Sequence, residues 1–212
     1  MTRSQCRAVI LALCLAALAG YVDALGFLQL KGFFVSFMSG NSTRLSVGLA
    51  QDERLPALTA AGLIGLFVLG VIGGTLLAEL LKPRRRPLLV LVAGLLGAGG
   101  VASSLGRPGA AIVLTVLALG AVNAVIQKAG EISIAVTYMT GTLVRMGQAI
   151  ARALLGGPKL EWVPYLMLWA ALVAGAVGGA AVFPRLGLQG LWVAAAWCAV
   201  LAVWVRDREG RL

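Results

Sequence analysis

Apolar residues run almost unbroken through six stretches of the chain, at about 8–30, 56–81, 87–106, 109–128, 161–183 and 187–205. Each is long enough to cross a hydrocarbon core of ~30 Å as a helix. Between the first and second stretches, and again between the fourth and fifth, lie segments of mixed character, 32–50 and 129–154. Both are rich in Gly, Ser, Thr and Arg. The pattern predicts an all-α membrane protein of about six transmembrane helices with two irregular inserts.

Composition supports this and removes alternatives. Sixty per cent of the 212 residues are hydrophobic and 12% are charged, and the mean hydropathy is +0.94. A soluble domain cannot bury so much apolar surface. The chain contains no His, so the usual metal ligand and general base are missing, and we expect no enzyme, no cofactor and no metal site. Cys6, Cys14 and Cys198 show no metal or redox spacing and read as small core residues. The net charge of +10 is scattered between apolar stretches, which argues against nucleic acid as a partner.

That charge sets an orientation instead. With both inserts re-entrant and the amino terminus cytoplasmic, Arg3, Arg7, Lys82, Arg84, Arg85, Arg86, Lys159, Arg206, Arg208 and Arg211 fall on the inner side. Only Lys31, Arg54, Arg107 and Arg185 remain in outer loops. This satisfies the positive-inside rule with both termini cytoplasmic. Arg3, Arg7 and Ala17-Leu18-Ala19 imitate a cleavable secretory signal, but cleavage would remove the first element of a repeat, so none is expected.

Gly20-Tyr21-Val22-Asp23-Ala24 recurs as Gly120-Ala121-Val122-Asn123-Ala124. Phe37-Met38-Ser39-Gly40-Asn41 matches Tyr138-Met139-Thr140-Gly141-Thr142 with one residue of slippage, bringing Arg44 onto Arg145. Leu69-Gly70-Val71-Ile72-Gly73-Gly74 matches Ala174-Gly175-Ala176-Val177-Gly178-Gly179, and these glycines read as helix contacts. Three matches in one order indicate duplication, with halves at 1–106 and 107–212 forming one transmembrane domain. Three spans per half make the repeat inverted, an arrangement that typically places a solute site near midplane.

Within each insert the sequence predicts an extended run, a break and a half-helix. In the first copy, Phe33–Met38 is extended and Ser39-Gly40-Asn41-Ser42-Thr43 supplies the break and helix caps. In the second, Ile132–Tyr138 is extended and Thr140-Gly141-Thr142 breaks and caps. Unwound backbone inside a membrane must line protein or a hydrated cavity. Two half-helix N-termini facing one another, with Arg44 and Arg145 in their first turns, would attract an anion. The expected solute site is therefore Ser39, Gly40, Asn41, Ser42, Arg44, Thr140, Gly141, Thr142 and Arg145. The bland alternative is close helix packing at Gly40 and Gly141, with both arginines reaching headgroups.

Asp23 is the acidic residue placed within a span, where a carboxylate is costly unless paired, hydrated or protonated. It reads as a coupling or gating group or a cation ligand, as a static partner of Arg44 or Arg145, or as a carboxylate lying just outside the core near Lys31. Its counterpart Asn123 is neutral, so proton chemistry would be asymmetric between the halves.

The Gly-Tyr-Val-Asp-Ala stretch and the paired Met-Ser/Thr-Gly breaks resemble the signatures of the YoaK family of bacterial inner-membrane proteins, across essentially the whole chain. Ser39 stands where that family more often has Thr, which keeps the hydroxyl. The resemblance implies a polytopic membrane protein of about six spans and brings no substrate with it.

The expected function is a secondary transporter or facilitator of a small anionic or polar solute. An ion channel and a non-transporting membrane scaffold or partner subunit are the alternatives. The expected partners are that solute or ion and the lipid bilayer, and a homodimer is plausible on base rates alone.

Overall fold

The computed structural model describes residues 3–81, 85–125 and 139–205, and the described residues are helical apart from connecting turns. The helices are α1 (Arg3–Gln29), α2 (Met38–Ala50), α3 (Arg54–Leu80), α4 (Arg85–Ser104), α5 (Pro108–Val122), α6 (Met139–Leu154), α7 (Val163–Leu186) and α8 (Leu191–Trp204). A 3₁₀ turn, Asn123–Val125, extends α5, and another, Gly187–Gly190, joins α7 to α8.

Five described stretches are long and apolar enough to cross a membrane: Arg7–Gln29, Arg54–Leu80, Arg85–Ser104, Pro108–Val125 and Val163–Trp204. The first four match the sequence expectation. The last, 42 residues long, holds both remaining expected spans and the corner between them. Pro184 and Gly187, the latter at φ +53°, end α7 there. The expected sixth span is consequently shorter than read. The 14 residues of α8 rise about 21 Å, less than a ~30 Å core.

Side chains on these helices are apolar nearly all round, which suits lipid and not water. Leu58, Leu69, Ile72 and Leu76 of α3, and Val193, Val200 and Val203 of α8, are exposed. The interior is arranged around α1 and α5, whose spans are 50% and 67% buried against 22% for α3.

Small residues set the closest helix contacts. On α7, Gly175 lies against the carbonyl of Ala17 and Gly179 against that of Tyr21, while Gly20 meets the backbone at Leu172 and Ala176. On α3, Gly70 lies against the carbonyl of Leu117 and Gly74 against Ala121, while Gly120 meets the backbone at Phe67 and Val71. Residue numbers rise together across both contacts, so α1 runs parallel to α7 and α3 parallel to α5. Gly73 has no neighbour within 4 Å of the position its Cβ would take, and Gly178 meets only the Tyr21 ring, at 3.9 Å. The packing role expected of all six glycines therefore belongs to Gly70, Gly74, Gly175 and Gly179.

The fourth helix joins these pairs to α8. Gly99 approaches Ala111, Thr115 and Leu191, and the ring of Trp192 covers Gly100.

Candidate functional site

The first insert is built on the end of α1. The Leu30 N–H donates to Gly26 O and the Gly32 N–H to Phe27 O, each at 2.8 Å, which closes the last carbonyls of the helix. Positive φ at Lys31 (52°) and Gly32 (106°) then reverses the chain. It returns alongside α1, and Asp23 Oδ1 accepts the N–H groups of Val35 and Ser36 at 2.9 and 2.8 Å.

A second side chain completes the support. Asn41, fully buried, accepts the Phe34 N–H at Oδ1 (3.0 Å) and donates from Nδ2 to Phe34 O (2.7 Å). Asp23 and Asn41 thus satisfy four backbone polar groups of residues 34–36, where neither a helix nor a strand supplies partners. Left unpaired away from water, each would cost roughly 1–3 kcal/mol. The rings of Phe27, Phe34 and Phe37 stack over this return, with centroids 4.9 and 5.1 Å apart. Gly40 leaves room for two of them, because a Cβ there would lie 2.6 Å from the Phe37 ring.

This geometry corrects the expected break. The irregular backbone precedes Met38, and Ser39, Gly40, Asn41, Ser42 and Thr43 already belong to α2. Phe37 occupies the cap position without a side-chain cap bond. The hydroxyls bond backwards along the helix instead: Ser42 Oγ donates to Met38 O (2.9 Å) and Thr43 Oγ1 to Ser39 O (3.2 Å). The physical reason is that Asp23 and Asn41 already hold the return, so the helix can begin early without a hydroxyl cap. In the second copy α6 begins at Met139, again placing Thr140, Gly141 and Thr142 inside a helix. The extended run expected over Ile132–Tyr138 lies outside the described residues.

The expected solute ligands separate by burial. Asn41 and Thr142 are buried, Gly40 and Gly141 half-buried, and Ser39, Ser42, Arg44, Thr140 and Arg145 exposed. Arg44 lies over the Phe33 ring, 4.9 Å from its centroid, with its guanidinium against Gly32. The static Asp23–Arg44 pair considered from sequence is absent among the described residues, since the Asp23 carboxylate faces backbone amides. Arg145 occupies the seventh position of α6, as Arg44 does of α2. In the described residues α2 packs on α3 and α6 on α7, and no extended interface brings α2 and α6 together.

Asn123 behaves unlike its counterpart Asp23. Its Nδ2 donates to Leu119 O (3.0 Å) and Gly120 O (3.4 Å), closing α5 where it tightens into the 3₁₀ turn. Asp23 instead lies inside a helix that continues to Gln29.

Tyr21, which is not among the expected site residues, is buried, and its hydroxyl donates to Gly190 O at 3.0 Å, across 169 residues. The available signal was a hydroxyl-bearing ring two residues from Asp23 in an apolar stretch, where a buried tyrosine needs a partner.

Comparison with known proteins agrees with this membrane architecture. A family described as "Protein of unknown function (DUF1275)" matches residues 11–204. The UPF0700 transmembrane protein RA0705 of Rhizobium meliloti (strain 1021) is 34% identical over 176 residues, covering 83% of this chain and 76% of that protein. No solved structure matches.

Proposed function

The chain is an integral membrane protein of the DUF1275 family, and we propose that it is a secondary transporter or facilitator of a small anionic or polar solute, built from two inverted halves. The observation that carries the reading is a packing register that occurs twice. A shift of 100 residues carries Ala17, Gly20 and Tyr21 onto Leu117, Gly120 and Ala121, and a shift of 105 carries Gly70 and Gly74 onto Gly175 and Gly179. Each set meets the other at the same places. The short helices follow suit: α2 buries Asn41 and Gly48, and α6 buries Thr142 and Ala149, a shift of 101.

Direction supports inversion. The α7–α8 corner brings Gly190 back beside Tyr21 and Leu25, so α8 runs against α1, and it also runs against α4 through the Gly97–Ala195 and Gly100–Trp192 contacts. The short turn after Ser104 sets α5 against α4, and hence against α1. Halves of this kind place solute sites where they meet and alternate access by moving one group of helices against another.

In this reading Arg44 and Arg145 attract the anion from equivalent positions, and the first turns of α2 and α6 supply its backbone contacts. Asp23 gates. Its Oδ1 accepts the N–H groups of Val35 and Ser36; these bonds are charge-assisted when the carboxyl is ionised and weaker when it is protonated, so a proton and the return segment would move together. The membrane is a bacterial inner membrane, with both termini cytoplasmic.

Flux into proteoliposomes, measured across a panel of chloride, sulfate, phosphate and small carboxylates, tests the proposal. Saturable uptake of at least one anion is expected, and Arg44→Ala and Arg145→Ala should each reduce it about tenfold, the loss of one hydrogen bond to a charged group. Flux without saturation would mean a channel. No flux and no ligand-induced stabilisation across the panel would leave the scaffold reading.

A further inference from the structure

The close contacts sort most of the described helices into two groups. In one, α1 and α7 are held backbone to backbone at Ala17, Gly20, Tyr21, Gly175 and Gly179. In the other, α3 is fixed on α5 by Gly70 and Gly74, and α4 on α5 and α8 by Gly99 and Gly100, with α2 joining α3 where Gly48 meets Ala57. Small-residue contacts between backbones leave no side chains to rearrange, so each group should move as a unit.

The two groups meet at the α7–α8 corner, with a lighter contact of α1 on α5. At the corner Gly190 faces the Tyr21 hydroxyl and both δ-methyls of Leu25; a Cβ at Gly190 would lie 3.0 Å from the former and 3.2–3.3 Å from the latter. Away from this corner the approach of α8 to α1 is limited, although the interface that the repeat makes equivalent, α4 on α5, is packed extensively. One of two related seams is thus tight and the other is pinned near one end. The pin is a buried hydrogen bond from Tyr21 to Gly190 O, and the second half carries Ala121, without a hydroxyl, at the equivalent position.

We infer that Tyr21 is a latch that holds the α1–α7 pair against the corner leading into α8, and that opening this latch lets the pair move as one body. The inference rests on the transporter reading above and names the moving group for it. A buried tyrosine hydroxyl that loses its acceptor must find water. Latch opening and hydration of the corner are therefore one event. Asp23, two residues along α1, ties the same helix to the return that leads into α2, so two polar ties from α1 to the other group sit on one turn of the helix.

Leu188, buried in the corner at 4% exposure, is the reporter position. The full chain, with Cys6→Ala, Cys14→Ala, Cys198→Ala and Leu188→Cys, is placed in nanodiscs, which leave both faces open to solution. Its rate of labelling by a charged methanethiosulfonate reagent is then measured. Tyr21→Phe, which keeps the ring and removes the hydroxyl, should raise the rate about fivefold, the equilibrium shift expected for one hydrogen bond. Gly190→Ala, which pushes the corner away from Tyr21 and Leu25, should raise it as well, and Tyr165→Phe on α7 should leave it unchanged. Unchanged labelling in both Tyr21→Phe and Gly190→Ala overturns the latch, and so does an equal rise with Tyr165→Phe. The readout needs no solute. A responsive corner in a protein that moves no solute would retain the latch and remove the transporter reading.

Discussion

Replacing Gly175 with alanine sets a methyl group against the carbonyl of Ala17, and the obstacle is backbone on both helices. No rotamer change relieves it, so α1 and α7 must separate and give up contacts along the interface shared by Gly20 and Gly179. Overpacking of this kind costs about 1–3 kcal/mol, while exchanging glycine for alanine inside a helix returns about 0.5–1 kcal/mol. Because the clash falls on backbone, the net effect should be a loss of about 2 kcal/mol, roughly a thirtyfold shift toward the unfolded state. Gly70→Ala, which meets the carbonyl of Leu117 at the equivalent place on α3, should cost the same. Gly73→Ala is the internal control. It lies on the same helix with no neighbour within 4 Å, so it should be neutral or slightly stabilising. The assay is reversible unfolding in mixed micelles, following helicity against the mole fraction of denaturing detergent. If Gly175→Ala and Gly70→Ala fall within about 0.5 kcal/mol of Gly73→Ala, below the range for overpacking, close backbone packing does not hold these pairs together, and the repeated register loses its energetic meaning.

Two further outcomes concern the return before α2. Asn41→Ala strands the N–H and C=O of Phe34 and should destabilise by about 2–4 kcal/mol, whereas Ser39→Ala, on the exposed side of the same turn, should change stability by less than about 0.5 kcal/mol; equal effects in the same unfolding assay would remove Asn41 from its supporting role. Asp23→Asn keeps an acceptor oxygen for Val35 and Ser36 and should fold, while Asp23→Ala should lose about 2 kcal/mol or more. In flux measurements Asp23→Asn should abolish accumulation driven by a proton gradient and spare downhill exchange, and retained accumulation would exclude Asp23 as the coupling group.

Which polar residues of the first insert need partners was legible in the sequence, and which partners they take was not. Asp23 stood out because a carboxylate inside an apolar stretch needs a reason, and Asn41 because it follows a glycine in a repeated break. Both proved to be engaged, but with backbone. Sequence spacing suggested a charge partner such as Arg44. The helix instead reverses at Lys31 and Gly32, bringing residues 34–36 within reach of Asp23, and such a reversal leaves little trace in local periodicity. Sequence alone makes the hydroxyls of Ser42 and Thr43 candidate caps, because that is their commonest role at a helix start. Inside α2 they have the carbonyls of Met38 and Ser39 to bond, and α2 starts early because its entry is held from elsewhere.

Hydrophobicity and its interruption specify, from the chain alone, that this is a helical membrane protein and where its apolar stretches lie. These are properties of consecutive residues, since a lipid environment obliges each stretch to satisfy its own backbone. Which helices touch is another matter. That Gly175 meets Ala17 and Gly70 meets Leu117, that Asp23 holds amides instead of an arginine, and that Tyr21 reaches Gly190 were settled only when the helices packed. Apolar surfaces offer lipid and protein nearly the same attraction, so the choice falls to shape and to a few polar atoms that cannot be left without partners.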